Sequence, residues 1–181
     1  MNPEGEVNMF KELTTERLQL KNIGYDDVQF MYEQFSNNFV NKYLYDMEPL
    51  KSIEEAQGVV RFYLESKPQL QHRWILVRKE DGLKIGTCGF HCWDKKNGII
   101  EVGYDLLELY ARQGYMSEAM EKIIEFARNE LNIKRIDANI YTENHASIEL
   151  VKKFGFTKTG ERYEHLYNLD HLHHIYSITL I

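Results

Sequence analysis

Cysteine is scarce in this chain, which has only Cys88 and Cys92 among its 181 residues. Two cysteines are too few for the disulfide framework of a small secreted protein, so we expect a cytoplasmic location, where thiols stay reduced. Long hydrophobic runs are also missing, since no apolar stretch approaches the roughly 20 residues that a membrane-spanning helix needs. Residues 1–20 lack the basic, apolar and small-residue order of a secretory signal. We therefore expect no membrane partner.

Positive charge is in deficit, with 22 Lys and Arg against 28 Asp and Glu, which gives a net charge of −6. Nucleic-acid binding requires clustered basic residues, so no nucleic-acid partner is expected. The negative balance suits cationic partners such as amines or basic peptides, and it equally suits solubility alone.

Candidate metal ligands do not form a complete set. Cys88 and Cys92 share one face of a predicted strand, but no second pair of Cys or His completes a zinc site. The histidines between His171 and His174 would need a further ligand placed by the fold. We predict no metal site.

Hydrophobic residues, by contrast, make up 43% of the chain and aromatic residues 13%, which is enough for a sizeable core. The length suits one domain. We predict a single domain over residues 1–181, in which residues 1–12 form a loose N-terminal extension. The sequence leaves the chain a monomer or a homodimer.

The N-terminal half predicts one strand and two helices. Residues 17–23 alternate apolar and polar side chains, as a half-buried strand does. Residues 28–35 carry apolar side chains at helical spacing. Ser52 and Glu55 form a capping box that begins the second helix.

Two dipeptides predict hairpins in the middle of the chain. Asp81-Gly82 and Asn97-Gly98 tolerate the positive φ that tight turns between antiparallel strands need. They therefore predict three antiparallel strands between residues 73 and 107.

Helices and strands alternate in the remainder. Helices are predicted over residues 117–131 and 145–155, with a strand over residues 135–141 between them and two more strands at the end. We predict an α+β fold, with one mixed, mostly antiparallel sheet flanked by helices.

The loop before the first of those helices has one glycine, Gly114, at the helix entrance. The first helical turn has amide N–H groups without partners and a partial positive charge, so it can bind an anion. Glycine lets a phosphate approach the backbone, and Arg112 adds a cation beside it. Gly114 equally suits an ordinary strand-to-helix turn, and this loop alone does not decide between the two.

Three motifs, taken in their order and spacing, carry a resemblance. They are "EVGYDL", "RQGYMSEA", and "NHAS" leading into "KKFGF". With them, residues 13–180 resemble the GCN5-related N-acetyltransferase (GNAT) superfamily, and within it the Rim-type ribosomal-protein alanine N-acetyltransferases. The resemblance implies acetyl-CoA as cofactor and a primary amine as acceptor. It also implies a splayed central strand pair that receives the pantetheine arm of the coenzyme as an added strand.

The resemblance places the pyrophosphate of the coenzyme on the loop and the first helical turn. The implied residues are Arg112, Gln113, Gly114, Tyr115, Met116 and Ser117. The chain departs from the family pattern Q/R-x-x-G-x-G/A at Ala111 and Met116, while Gly114 is retained. Met116 is compatible if its side chain turns away inside the helix. Binding by backbone amides is therefore expected, and a role for a side chain at the first position is not.

The resemblance also assigns residues to the rest of the coenzyme. Free backbone groups of Asp105, Leu106 and Leu107 are expected to pair with the pantetheine arm, and the N–H of Leu107 to hold the oxyanion. Asn144 is expected to bond to the pantetheine. Lys153 is placed near a coenzyme phosphate, although an exposed helix lysine is also often merely solvated.

The resemblance assigns Glu101 to the acceptor amine and Ser147 to the coenzyme sulfur, and leaves open which group protonates the departing thiolate. Glu101 matches the glutamate of the Rim-type "E-I-G-Y" and is the candidate base, although it also fits a solvated strand carboxylate. Val151 stands where many GNAT enzymes have a proton-donating tyrosine. Ser147 fits the Rim-type N-x-x-S, where its hydroxyl either bonds to the coenzyme sulfur or caps the helix together with Asn144.

Three functions remain open at this point. The leading one is acetylation of a protein N-terminal α-amine; the others are acetylation of a polyamine, amino acid or aminoglycoside, and non-catalytic CoA sensing. Deprotonation at pH 7 costs about 1.4 kcal/mol for an α-amine of pKa about 8 and about 4.6 kcal/mol for a lysine. An N-terminal amine therefore needs only a modest base. Residues 37–49 are expected to wall the acceptor site.

Overall fold

The structure, a computed structural model, describes residues 9–45 and 47–180. Eight strands form one sheet in the order β1-β2-β3-β4-β5-β6-β8-β7. The strands are β1 (Leu13–Thr14), β2 (Leu18–Asn22), β3 (His72–Arg78), β4 (Lys84–Asp94), β5 (Ile99–Leu106), β6 (Arg135–Tyr141), β7 (Thr157–Leu166) and β8 (Leu169–Thr179). Neighbouring strands are antiparallel except β5 and β6, which are parallel. The predicted α+β class and mostly antiparallel sheet are confirmed.

Helices flank the sheet. They are α1 (Val28–Phe35), α2 (Asn38–Asn41), α3 (Ile53–Glu65), α4 (Tyr115–Asn129) and α5 (His145–Lys153). The sequence predicts four of these and misses α2, which lies in the segment predicted as a loop. The side chain of Asn37 starts α2 by accepting hydrogen bonds from the amides of Phe39 and Val40. A helix of four residues is too short to show a periodic apolar pattern.

Both predicted hairpin turns are confirmed. Gly82 and Gly98 have φ of 73° and 70°, in the left-handed region that favours glycine. They connect β3 to β4 and β4 to β5, as the sequence predicts. A bulge near the end of β4 is unpredicted: Cys92 has φ 51° and is exposed, whereas Cys88 is buried.

The parallel pairing of β5 with β6 is short. It runs from Ile99 opposite Arg135 to Glu101 opposite Asp137 and then ends. Beyond Glu101, β5 continues to Leu106 in register with β4 alone. The two central strands therefore diverge, which confirms the splayed pair that the resemblance implies.

The sheet carries a hydrophobic core on each face, and the two faces are named here by the helix that each carries. On the α4 face, Ile100 and Val102 belong to the same core as Met120 and Ile123 of α4. On the α1 face, Ile75 of β3 packs with residues of α1 and α3. Since successive strand residues point to opposite faces, Glu101, Gly103 and Asp105 lie on the α1 face.

Residues 9–12 do not form the loose extension that was predicted. The side chain of Phe10 is fully buried in the α4-face core, and the carbonyl of Lys11 accepts a hydrogen bond of 2.9 Å from the indole of Trp74. A single aromatic residue in a polar stretch is sufficient to attach it to the core. Residues 1–8 lie outside the described residues.

Two findings on the described residues concern membrane and metal partners. Across residues 9–45 and 47–180, none of the helices combines the length and apolarity required of a membrane span. In the same residues, no group of three His, Cys, Asp or Glu side chains is arranged to hold a metal ion.

Candidate active site

Gly114 lies at the N-terminus of α4 with φ 83°. It has no side chain to cap the helix, and the first helical hydrogen bond joins the amide of Glu118 to the Gly114 carbonyl at 3.0 Å. The amides of Tyr115, Met116 and Ser117 therefore have no intrahelical acceptor, and the helix dipole adds positive charge to them. This arrangement fits a diphosphate.

The side chain of Met116 is buried in the α4-face core, as its position in the helix required. Arg112 is exposed and has φ 61°, so it occupies a left-handed position in the loop. Gln113 is also exposed, and its side-chain amide donates to the Leu109 carbonyl at 2.7 Å. Lys153 is exposed at the end of α5, on the other side of the gap between the strands.

Arg17, which the sequence did not single out, holds the same loop from the opposite side. Its Nη1 donates to the Gln113 carbonyl at 3.0 Å, and its Nε pairs with Glu118 Oε2 at 2.7 Å. A β-carbon built on Gly114 would lie 3.3 Å from Arg17 Nη2. The loop is thus attached to the start of β2, a contact of 96 residues in sequence separation that no local pattern reveals.

The backbone of β5 offers fewer free groups than expected. The amide of Leu107 donates to the Ile85 carbonyl of the β4 side at 3.0 Å, so the prediction of Leu107 as the oxyanion donor is wrong. Backbone groups alternate in direction along a strand, so those of Asp105 also face β4. Of the three predicted residues, only Leu106 directs its N–H and C=O into the gap beside β6.

The side chain of Asp105 also has a role other than the predicted one. Its carboxylate accepts from Gln34 at 2.6 Å, from Thr87 at 2.6 Å and from Arg73 at 3.0 Å. Burial raises the pKa of the Asp105 carboxyl, while the Arg73 guanidinium opposes that shift. This buried network joins α1 to β3, β4 and β5 on the α1 face of the sheet.

Glu101 lies at the point where β5 and β6 diverge. Its Oε2 accepts from Asn139 Nδ2 at 2.9 Å and lies 3.4 Å from His91 Nε2. Its Oε1 lies 3.6 Å from Arg162 Nη1. The His91 imidazole holds the pKa of the Glu101 carboxyl below its ordinary value, against the opposing effect of burial. Glu101 is therefore an anion at neutral pH, and the sequence did not reveal its three partners.

The start of α5 lies on the other side of the gap. Asn144 caps the helix by accepting from the Ser147 amide at 3.2 Å, so the Ser147 hydroxyl is not needed as a cap. Tyr104, whose side chain projects from β5, donates to the Ser147 carbonyl at 3.4 Å. Burial raises the pKa of Tyr104, so this phenol stays protonated. Val151 is buried and offers no proton.

A cavity of about 640 Å³ lies on the α1 face, and Asp137 of its lining pairs in register with Glu101. It spans β6, β8 and β7, and its described lining residues are Arg135, Asp137, Gly155, Thr157, Thr159, Gly160, Ile175, Ser177, Ile178 and Thr179. Ser177 donates to Asp137 at 2.6 Å and lies 2.7 Å from the Thr159 hydroxyl. Arg135 pairs with Asp137 at 2.9 Å, so the charge of this carboxylate is already neutralised.

Aromatic rings lie at the other end of the same face. The ring of Tyr45 stacks on His171 with centroids 3.9 Å apart and lies 4.6 Å from the ring of Tyr141. Tyr43 lies 6.1 Å from the Tyr141 ring. Tyr43 and Tyr45, which belong to the segment predicted to wall the acceptor site, thus pack over the ends of β6 and β8.

Three comparisons relate this geometry to known proteins. The family model "Acetyltransferase (GNAT) domain" matches residues 17–157. YoaA of Bacillus subtilis, an uncharacterized N-acetyltransferase, is 33% identical over 160 residues, which cover 88% of this chain and 90% of YoaA. Two solved structures share the fold. RimL, a ribosomal L7/L12 α-N-protein acetyltransferase in complex with coenzyme A, has a TM-score of 0.84 at 19% identity, over 94% of this chain and 98% of RimL. Spermidine N-acetyltransferase from Vibrio cholerae, in complex with CoA and spermine, has a TM-score of 0.78 at 16% identity, over 91% and 96%.

Proposed function

The chain belongs to the GNAT acetyltransferase family, and we propose that it transfers the acetyl group of acetyl-CoA to the N-terminal α-amine of a protein. Family membership makes it an N-acetyltransferase with acetyl-CoA as cofactor. The proposal concerns the class of amine that accepts the acetyl group. The charge and lining of the cavity beside Glu101 support it.

Acetyl-CoA supplies an activated acetyl thioester, and the described residues fit its two ends. The amides of Tyr115, Met116 and Ser117 bind the diphosphate, with Arg112 and Gln113 on the loop beside them. Further along the chain, Asn144 contacts the pantetheine and Lys153 a phosphate.

The thioester end lies in the gap between β5 and β6. Leu106 directs its N–H into this gap, where it pairs with the pantetheine arm and polarises the thioester carbonyl. Ser147, at the start of α5, is placed to donate a hydrogen bond to the coenzyme sulfur. Its hydroxyl is available for this because Asn144 caps the helix.

The acceptor body occupies the cavity on the α1 face, whose β6 lining pairs with Ile99 and Glu101. A peptide must therefore extend about five residues along β5 to bring its N-terminal amine to Leu106. Four hydroxyl-bearing residues line it, and Asp137 is the one carboxylate among its described lining residues. Since Arg135 neutralises that carboxylate, the lining offers hydrogen bonds without net charge. A peptide backbone, with uncharged donors and acceptors, matches such a lining. A polyamine carries several positive charges and would need several unpaired carboxylates to replace its hydration.

Thiol release from acetyl-CoA tests the acceptor class. An alanine-initiated octapeptide and spermidine are compared, with the same peptide blocked at its N-terminus as the control. We expect kcat/KM for the free peptide to exceed that for spermidine at least tenfold, and the blocked peptide to be inert. A higher kcat/KM for spermidine would overturn the proposed acceptor, while leaving the acetyltransferase activity in place.

Two substitutions connect that result to the cavity. Thr159→Val and Ser177→Ala each remove a lining hydroxyl and change the volume little. We expect each to raise KM for the octapeptide severalfold and to leave KM for acetyl-CoA unchanged, because the hydroxyls line the acceptor cavity and not the coenzyme site. An unchanged peptide KM in both variants would place the acceptor elsewhere.

A further inference from the structure

We infer that His91 accepts the proton of the acceptor amine and that Glu101 is the carboxylate that orients and stabilises its imidazole. The inference rests on the proposed function, because it concerns the same acceptor nitrogen. It assigns a role to a side chain that the sequence motifs leave out.

Distance along β5 is the first reason. Glu101 lies five residues before Leu106, which is about 17 Å along an extended strand. A glutamate side chain does not cover that length. Its carboxylate is also held in place by Asn139 of β6 and Arg162 of β7. With the thioester at Leu106, Glu101 lies further from the reacting carbon than the ring of His91 does.

The ring of His91 lies closer to the reacting position. His91 is in register with Glu101 on β4, but its ring leans over Gly103. A β-carbon built on Gly103 would lie 3.1 Å from His91 Cε1 and 3.6 Å from Nδ1. Gly103 is nearer to Leu106 than Glu101 is, and the difference is two residues, or about 7 Å along the strand. The absence of a side chain at Gly103 therefore makes room for the imidazole on the acceptor face.

The two ring nitrogens have different surroundings. Nε2 faces Glu101 Oε2 at 3.4 Å, and an ionised carboxylate can only accept, so the proton of the neutral ring belongs on Nε2. Nδ1 has no hydrogen-bond partner among the described residues and is the nitrogen left to accept a proton. A carboxylate behind one nitrogen and a substrate before the other is the arrangement of a general base.

Charged groups of both signs surround the ring. Glu101 on β5 favours the imidazolium, and Arg162 on β7 partly offsets it. Arg73 on β3 brings its Nη2 to 3.9 Å from the β-carbon built on Gly103. Cys92, next in sequence, is exposed beside Glu101. Because the two arginines have carboxylate partners of their own, Glu101 is the charge that most directly stabilises a protonated ring.

An α-ammonium acceptor loses two protons from its nitrogen during the reaction. One proton moves from the nitrogen to His91 Nδ1, and the freed lone pair forms the C–N bond at the thioester carbonyl carbon. The C–S bond then breaks, and the second proton passes from the nitrogen to the departing thiolate. The products are an amide, a free thiol and a protonated His91, which returns its proton to water.

The pH dependence of His91→Gln tests this role, with the alanine-initiated octapeptide as probe. We expect kcat/KM for the peptide to fall about tenfold at pH 7 and less than twofold at pH 9, where most of the α-amine is already neutral and needs no base. KM for acetyl-CoA should not change. His165→Gln, in which the replaced histidine is exposed at the β7–β8 hairpin, is the matched control and should behave as the wild type.

Two further measurements keep the inference testable if His91→Gln is poorly folded. Added imidazole should restore the activity of His91→Ala at pH 7, and it should leave the activity of the wild type unchanged. In Glu101→Gln, the rate of acetylation should fall. Its pH profile should still follow the titration of a single base, with the midpoint of that profile at lower pH. If His91→Gln retains the wild-type pH profile, or imidazole restores nothing, the inference is wrong. If the wild type acetylates no peptide, the proposed acceptor fails instead.

Discussion

The imidazole of His72 stacks on the ring of Phe10, with centroids 4.5 Å apart and planes 3° apart. The histidine is buried in the α4-face core, and its Nε2 lies 3.0 Å from Asn22 Oδ1. Burial, with a smaller contribution from Arg73, lowers the pKa of His72 to about 3. The ring is therefore neutral in the folded protein through the mildly acidic range.

This depressed pKa predicts an acid-dependent loss of stability. An unfolded histidine has a pKa of about 6.5, so between about pH 6.5 and pH 3 the unfolded chain binds a proton that the folded chain does not. The contribution of His72 is complete above pH 6.5 and falls by up to about 1.4 kcal/mol per pH unit below it. Urea unfolding at pH 7 and pH 5 should show wild type losing about 1–2 kcal/mol more than His72→Gln. Parallel losses in the two proteins would contradict the assignment.

Gly114→Ala should weaken coenzyme binding beyond its effect on stability. Gly155 provides a matched control, because its φ of 85° is close to the 83° of Gly114. Alanine at either position meets a left-handed strain of about 1–2 kcal/mol. We expect similar drops in Tm, but a CoA Kd at least fivefold higher in Gly114→Ala alone. Calorimetric titration with CoA measures this, and equal affinities would show that the phosphate does not lie against Gly114.

Arg17→Ala should affect the coenzyme more than the fold. The Arg17–Glu118 pair is part-exposed, so its loss should cost no more than about 1 kcal/mol of stability. The loop loses its bond at Gln113, however, and we expect the CoA Kd to rise threefold to tenfold. Arg17→Lys should not restore it, because lysine lacks the fork that contacts two partners at once.

A second ion pair on α4 provides the control for Arg17. Lys11 pairs with Glu130 at 2.6 Å near the other end of the helix. Lys11→Ala removes a comparable surface cation without touching the loop. An equal rise in CoA Kd for both variants would point to net charge, and not to loop position, as the cause.

Proline substitutions should separate the backbone roles of Leu106 and Leu107. Leu107 has φ −62°, which proline adopts, so Leu107→Pro removes the bond to Ile85 with a loss of about 0.5–1.5 kcal/mol. We expect its kcat to stay within threefold of wild type. Leu106→Pro removes the N–H that faces the gap and should lower kcat about 100-fold to 1,000-fold. The reverse order of kcat values would reinstate Leu107 as the oxyanion donor.

Sequence periodicity was sufficient for most of the fold and for one part of the site. Gly82 and Gly98 identify hairpins because local backbone geometry demands them. The entrance of α4 is predictable for the same reason, since a glycine before an apolar helical pattern is a local signal. The alternation of side chains along β5 likewise places Glu101 and Asp105 on one face.

The remaining errors concern relationships between distant segments. Periodicity gives the face of a side chain, but the direction of the Leu107 amide depends on its register with β4, which one strand cannot reveal. Arg17 and His91 reach the site across strand pairs, so no local motif contains them. Phe10 shows the same limit: its burial depends on a partner, His72, that lies 62 residues away.

The bond from Leu107 to Ile85 and the bond from Arg17 to Gln113 attach the two ends of one loop to the same rigid sheet. The distance between the amides of α4 and the N–H of Leu106 is consequently fixed. A coenzyme analogue whose arm is one methylene longer would still bind its phosphates at the amides of α4, but its carbonyl would lie beyond the N–H of Leu106. Such an analogue should occupy the protein as a dead-end inhibitor.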